Sequence, residues 1–329
     1  MPTPAMPQRL PPHTMREAPD PVSPRRHVGR HRARFGSTYT SSARASGAVG
    51  ALPAGASSAE SSGKRNLAVA TLVGGGMAGV ALLPLLLFRP AFLAIIALAV
   101  AVATWELVRA LEHSGAHPPL APLLVGGVGT VPLVWWTGGQ ALMIGWVVTI
   151  IAVMLWRLPE GPIGYARDVA SATLTASYVP FLAGFMVLLL APADGAVRVL
   201  ALIGATVASD IGGYLVGSKI GRHRMCPSIS PGKSWEGAAG SLAASGLVGL
   251  AVLVLALGGL WWQGVIFGVV VAAAATVGDL TESLIKRDVG VKDMGSLLPG
   301  HGGVMDRCDS FLVAAPVAYL LLTWFVPVI

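Results

Sequence analysis

Charge is scarce in this sequence. Only 12% of its 329 residues are Asp, Glu, Lys or Arg, against about 25% in a soluble domain. Cysteine is scarcer still. Cys226 and Cys308 are the two present, and both fall in stretches predicted to face the cytoplasm, where disulfides are rare. A disulfide framework is therefore excluded, and both are read as unpaired thiols. Short segments of alternating hydrophobicity are missing too, which argues against a β-barrel. No apolar stretch follows the early arginines until residue 66, so no cleaved signal peptide is expected.

Hydrophobic residues make up 54% of the chain. Runs of 18 or more recur after residue 65, each long enough to cross a bilayer core roughly 30 Å thick. The backbone must satisfy itself there, so the runs are predicted to be helices. The fold class expected is all-α, a polytopic integral membrane protein of about nine spans. These run near 66–88, 91–111, 119–137, 140–156, 171–191, 197–218, 236–258, 261–283 and 308–328. Residues 1–65 carry ten Lys or Arg against three acids and no sustained apolar period, so they read as a disordered basic tail. Its cluster Arg25, Arg26, Arg30, Arg32 and Arg34 suits either a solvated cytoplasmic tail or contact with anionic headgroups. A basic tail places the N-terminus in the cytoplasm. Alternating from there puts 21 of the 23 Lys and Arg residues on the cytoplasmic side, with Arg89 and Arg198 outside, and leaves the C-terminus outside. The organisation expected is the tail at 1–65 and a membrane domain at 66–329, divided into N-terminal helices (66–191) and a catalytic part (192–329).

The N-terminal spans hold few polar groups. Glu106 and Arg109 stand at i and i+3, a spacing that suits a helix-end ion pair. Chemistry concentrates later. Asp210 lies inside the sixth predicted span, and Tyr214 shares its helix face. An acid at that depth must face protein or water, which leaves a buried hydrogen-bonded acid or a polar wall of a substrate cavity. Gly213, Gly217 and Gly221 repeat every four residues as a smooth stripe for a helix or a ligand. Ser230, Pro231, Gly232, Lys233 and Ser234 combine a turn, a cation and hydroxyls just before a helix. Helix N-termini bind phosphate, although the glycine spacing is not that of a Walker loop. Glu236 falls in the first helical turn, with a dipole-capping and a chemical role equally open.

The densest region is 278–310. Asp279, Glu282, Ser283 and Lys286 fall at i, i+3, i+4 and i+7 on one helix face. Arg287, Lys292 and Asp293 follow, then the turn-rich Pro299-Gly300-His301-Gly302-Gly303, then Asp306, Arg307 and Asp309. Clustered carboxylates repel unless a cation joins them, and hard oxygen ligands suit Mg²⁺. The bases match a polyphosphate, and the glycines let backbone approach a ligand closely. His301 can contact phosphate or donate a proton. It lacks a His or Cys partner at metal-site spacing. Together these groups point to nucleotide chemistry on a lipid.

The stretches SerLeuIleLysArg (283–287), LysAsp (292–293) and LeuProGlyHisGlyGlyValMetAspArgCysAsp (298–309) resemble the signature of the phosphatidate cytidylyltransferases. Cys308 stands where that family usually has an aliphatic residue, Phe or Thr. AspIleGlyGlyTyr (210–214) and SerProGlyLysSerTrpGluGly (230–237) are similar as well, with Gly232 replacing a usual lysine. The resemblance implies transfer of a cytidylyl group from CTP to phosphatidic acid, Mg²⁺ dependence with room for a second cation, a homodimer in the plasma membrane and no nucleic-acid partner. It implies metal binding by Asp279 and Asp306, with Asp309 as a further ligand. Lys286, Arg287, Lys292 and Arg307 would hold phosphate, Asp293 would orient, and Asp210, Tyr214, Ser230, Lys233, Ser234, Glu236, Glu282, Ser283, Gly302 and Gly303 would line the substrates. A CTP-dependent lipid-alcohol kinase is the rival chemistry. A membrane transporter is the rival from another class.

Overall fold

The computed structural model describes residues 82–297 and 302–328, with Gly76 and Gly79. The basic tail, most of the first predicted span and His301 lie outside the described residues. Among those described, eight helices are long and apolar enough to cross a membrane, and the chain is a polytopic, nearly all-α membrane protein.

The helices are α1 (Arg89–Glu112), α2 (Leu120–Thr137), α3 (Gly139–Arg157), α4 (Tyr165–Ala176), α5 (Leu182–Leu190), α6 (Gly195–Ile220), α7 (Trp235–Ala256), α8 (Trp261–Asp288) and α9 (Met305–Phe325). The helical residues 82–87 stop at Phe88, whose φ of −154° breaks the run before Pro90 opens α1. α4 and α5 form one span joined by a π-turn at Ser177–Phe181. Pro180 sits in that turn. It has no N–H to give, so the helix widens there. The turn carries Tyr178, whose hydroxyl donates to the Gly278 carbonyl of α8 at 3.3 Å.

Small residues set how closely the last four helices approach. A Cβ on Gly212 would lie 2.5 Å from the Gly240 carbonyl oxygen, and one on Gly217 would lie 3.4 Å from the Gly237 Cα. The glycine stripe of α6 therefore serves α7. Gly249 and Gly268 make the same close fit between α7 and α8. Hydroxyls cross these seams, with Ser241 donating to the Ser209 carbonyl and Ser245 to the Gly268 carbonyl, both at 2.7 Å. In lipid such contacts replace hydrophobic drive as the source of association.

The two arginines that the charge pattern left on the opposite face hold carbonyls there. Arg198 pairs with Asp194 at 2.8 Å and donates to the Val326 carbonyl beyond α9 at 2.7 Å. Arg89 donates to the Pro192 carbonyl at 2.5 Å. At the charged face, buried Arg157 meets Asp168 at 2.5 Å, and Asp168 also accepts the His117 amide at 2.7 Å. This joins the connections after α1 and α3.

One segment departs from expectation. Residues 230–234 form a strand, not a simple turn. β2 (Ser230–Ser234) pairs antiparallel with β1 (Arg224–Cys226) and runs straight into α7.

Gly268→Leu should lower the thermal stability of the detergent-solubilised protein by about 1–3 kcal/mol, the usual range for overpacking. A Cβ there already overlaps the Ser245 carbonyl. Gly129→Leu, at a position with nothing within 4 Å, should melt like the parent.

Candidate active site

α8 runs five residues past the predicted span end, to Asp288, so the polar face read from spacing is helical throughout. Asp279, Glu282 and Lys286 share that face. Lys286 bonds Glu282 one turn back at 2.6 Å. Glu282 is 1% exposed, and its other oxygen, Oε1, is buried without a hydrogen-bond partner.

Gly278 brings α9 to this face. A Cβ there would stand 2.5 Å from the Asp309 carbonyl oxygen and 3.1 Å from the Ser310 Cα. The absence of a side chain at Gly278 thus lets Asp309 enter beside its neighbour Asp279. Asp279, Glu282 and Asp309 each turn a carboxylate oxygen into one group, all within 4.8 Å of one another. Three anions this close repel strongly where little water screens them. The donor set is all oxygen, the orphaned Glu282 Oε1 is available, and both features fit a hard divalent cation. Nothing in the geometry selects one metal among such cations.

The group differs from expectation in one member. Glu282 takes the place foreseen for Asp306. The Asp306 carboxylate turns instead to Lys286 at 3.0 Å and accepts the amides of Gly303 at 2.7 Å and Met294 at 3.1 Å. Asp306 sits in the first turn of α9, and its side chain folds back over the helix start, while Asp309, one turn on, faces α8. Lys286 joins the two arrangements by bonding both Glu282 and Asp306.

Glu106 was expected to pair with Arg109. It does not. Arg109 bonds Glu112 at 3.0 Å on the exposed side, whereas Glu106 is fully buried. The Glu106 carboxylate accepts the Val304 amide at 3.1 Å and the Met305 amide at 2.8 Å, nearly 200 residues away. Spacing offered Arg109 two acids, Glu106 and Glu112, at i−3 and i+3. Burial in the tertiary fold decides between them, and sequence spacing does not report burial.

The β-hairpin closes the other side. Lys233 meets Asp279 at 2.5 Å. Ser234, foreseen as a substrate contact, is buried and caps α7 by accepting the Gly237 amide at 3.1 Å. Glu236 accepts the Arg222 and His223 amides and bonds the His223 ring at 2.6 Å, so it anchors the loop before β1. Asp210, Tyr214, Lys233 and Asp279 line one cavity, floored by Gly213, Gly217 and Gly237. Ser230, Ser283, Lys286, Arg287 and Lys292 line a second. Arg287 also donates to the Ile229 carbonyl at 2.7 Å, which ties α8 to the turn of the hairpin. Asp293 and Arg307 are exposed near the same face. Gly302, with φ of 78°, and Gly303 form the link into α9. A Cβ at Gly303 would meet the Glu106 carboxylate at 2.5 Å.

Lys286→Met should destabilise the folded protein by roughly 3–5 kcal/mol, because it strands the carboxylates of Glu282 and Asp306 without their shared cation. Thermal unfolding in detergent measures this. Added divalent cation should restore part of the loss in the variant, since a metal ion can take over neutralisation of Glu282.

Comparison with known proteins identifies relatives of the chain. A model described as the cytidylyltransferase family matches residues 68–325. A protein of Mycobacterium leprae (strain TN) named phosphatidate cytidylyltransferase is 42% identical over 79% of this chain and 88% of its own length. One of Mycobacterium tuberculosis (strain ATCC 25618 / H37Rv) with the same name is 40% identical over 79% of this chain and 83% of its own. A more distant protein of that name, from Pseudomonas aeruginosa, is 35% identical over 61% of this chain and 70% of its own. With its helices, its carboxylate group and these matches taken together, the chain belongs to the cytidylyltransferase family.

Proposed function

We propose that this protein is a phosphatidate cytidylyltransferase: it transfers the cytidylyl group of CTP to phosphatidic acid, giving CDP-diacylglycerol and pyrophosphate. The observation that carries the reading is the meeting of Asp279 and Glu282 of α8 with Asp309 of α9, beside a cavity rich in lysine and arginine.

The lipid phosphate is already an anion, so its oxygen attacks the α-phosphorus of CTP without a strong base. A new P–O bond forms as the bond from that phosphorus to the β-phosphate oxygen breaks, and pyrophosphate leaves with the electron pair. The barrier is mainly charge crowding and alignment. Asp279, Glu282 and Asp309 would hold a divalent cation, with Mg²⁺ the ion the family implies. Bound there, it would neutralise phosphate charge as a Lewis acid. Lys286, Arg287 and Lys292 surround the cationic cavity and hold the phosphates of CTP, with Arg307 supplying further charge from the exposed start of α9. Lys233, held on Asp279, keeps that carboxylate aimed at the group. Asp306 acts through Lys286 and the amides it accepts, so its part is to shape the site. Asp210 and Tyr214 line the cavity that admits the second substrate beside Asp279. The acyl chains stay in the bilayer. The N-terminus and the site face the cytoplasm, where CTP is found, and the C-terminus lies outside the plasma membrane.

Purified protein given phosphatidic acid, Mg²⁺ and CTP labelled on the α-phosphate should place the label in lipid, as mass spectrometry of the product will show. Transfer of γ-label instead would support a lipid-alcohol kinase. Asp279→Asn and Glu282→Gln should each lower kcat by about two orders of magnitude or more while the protein stays folded. Full activity in both would remove the metal assignment.

A further inference from the structure

We propose that Glu106 is a positioning residue for this reaction: from α1 it fixes the first turn of α9 so that Asp309 meets Asp279 and Glu282. The inference rests on the cytidylyltransferase reading for its link to turnover, while its structural content stands apart from that reading.

The first N–H groups of any helix lack intrahelical acceptors. Val304, at the cap position of α9, makes no side-chain cap bond. Three successive amides are satisfied by carboxylates instead. Asp306 takes Gly303 at 2.7 Å, while Glu106 takes Val304 at 3.1 Å and Met305 at 2.8 Å. An anion at this end also favours the helix dipole. Two of the three amides therefore depend on a residue of another helix.

The fit around Glu106 leaves no slack. A Cβ on Gly303 would stand 2.5 Å from either carboxylate oxygen, and one on Gly295 would overlap it. Both glycines thus let backbone close directly on Glu106. Met305 lies one turn before Asp309, so a shift of the first turn carries the Asp309 carboxylate with it. Asp309 enters the acid group against Gly278 with similarly little room.

A purely structural carboxylate would hold the bundle together and leave the site otherwise alone. A positioning residue affects the start of α9 and the acid group first. Glu106→Gln keeps the volume and replaces one acceptor oxygen with an NH₂ that cannot accept a hydrogen bond. In hydrogen exchange of the full chain in detergent, the amides around residues 303–306 should exchange about tenfold faster in this variant, as expected for loss of one such bond. Binding of Mn²⁺ alone, followed by electron paramagnetic resonance, should weaken by about tenfold or more. The kcat for cytidylyl transfer should fall by a similar factor, with a smaller change in KM for CTP. Glu112→Gln, which touches only the exposed Arg109 pair, should change none of these. A second variant tests the contact itself. Gly303→Ala should impair Mn²⁺ binding in the parent but have a much smaller effect in a Glu106→Ala background, where the obstructing carboxylate is gone.

Unchanged exchange and Mn²⁺ binding in Glu106→Gln would overturn the proposal. So would exchange that rises evenly over the whole bundle while Mn²⁺ binding holds, because that pattern marks a structural role alone. If the parent protein forms no cytidylylated lipid, the functional reading fails by itself, and the exchange and Mn²⁺ results still decide whether Glu106 positions α9.

Discussion

Holding several carboxylates together at the edge of a membrane is the constraint from which the rest of this structure follows. Each charge repels its neighbours, and the hydrocarbon around them offers little screening. Such a group persists only if cations and N–H donors surround it on the protein side. Here Lys286 spans Glu282 and Asp306, Lys233 meets Asp279, and backbone amides satisfy Asp306 and Glu106. Glu282 Oε1 is left without a hydrogen-bond partner. The protein compensates most of the charge with its own cations and amides.

Compensation on this scale needs backbones close enough to share it. Glycine provides that closeness at Gly278 between α8 and α9, and at Gly303 and Gly295 around Glu106. The same device joins α6 to α7 and α7 to α8. Small residues are the usual means of helix association in lipid, but here they also determine electrostatics. A methyl group at Gly278 would drive the Asp309 backbone from Asp279 and so change how the acids couple. Packing and charge are therefore one problem in the catalytic half.

Much of this was legible beforehand because it depends on local periodicity. The helical face of Asp279, Glu282 and Lys286 follows from 3.6-residue spacing, and the hydrophobic runs marked eight of the helices to within a few residues. What spacing could not show was the choice among partners that it permits. Arg109 had acids three residues away on both sides and took Glu112. Asp306 and Asp309 lie on one helix, yet one turns back to its own N-terminus and the other faces α8. Residues 230–234 had the turn chemistry of a phosphate loop, but pairing with Arg224–Cys226 makes them a strand. In each case a tertiary neighbour decided, and a linear pattern does not contain the neighbour.

The two cavities extend the same logic to the substrates. A polyphosphate is stabilised by several cations, and the cavity bordered by Lys286, Arg287 and Lys292 provides them. The other cavity contains Asp210 and Asp279 with Lys233 as its one Lys or Arg, and Lys233 already meets Asp279. The hairpin contributes residues to both cavities and is tied to α8 by Arg287 through Ile229 and by Lys233 through Asp279. Because it contributes to both linings, it fixes the cation-rich and the acid-containing cavity relative to the helix that carries Asp279, Glu282 and Lys286.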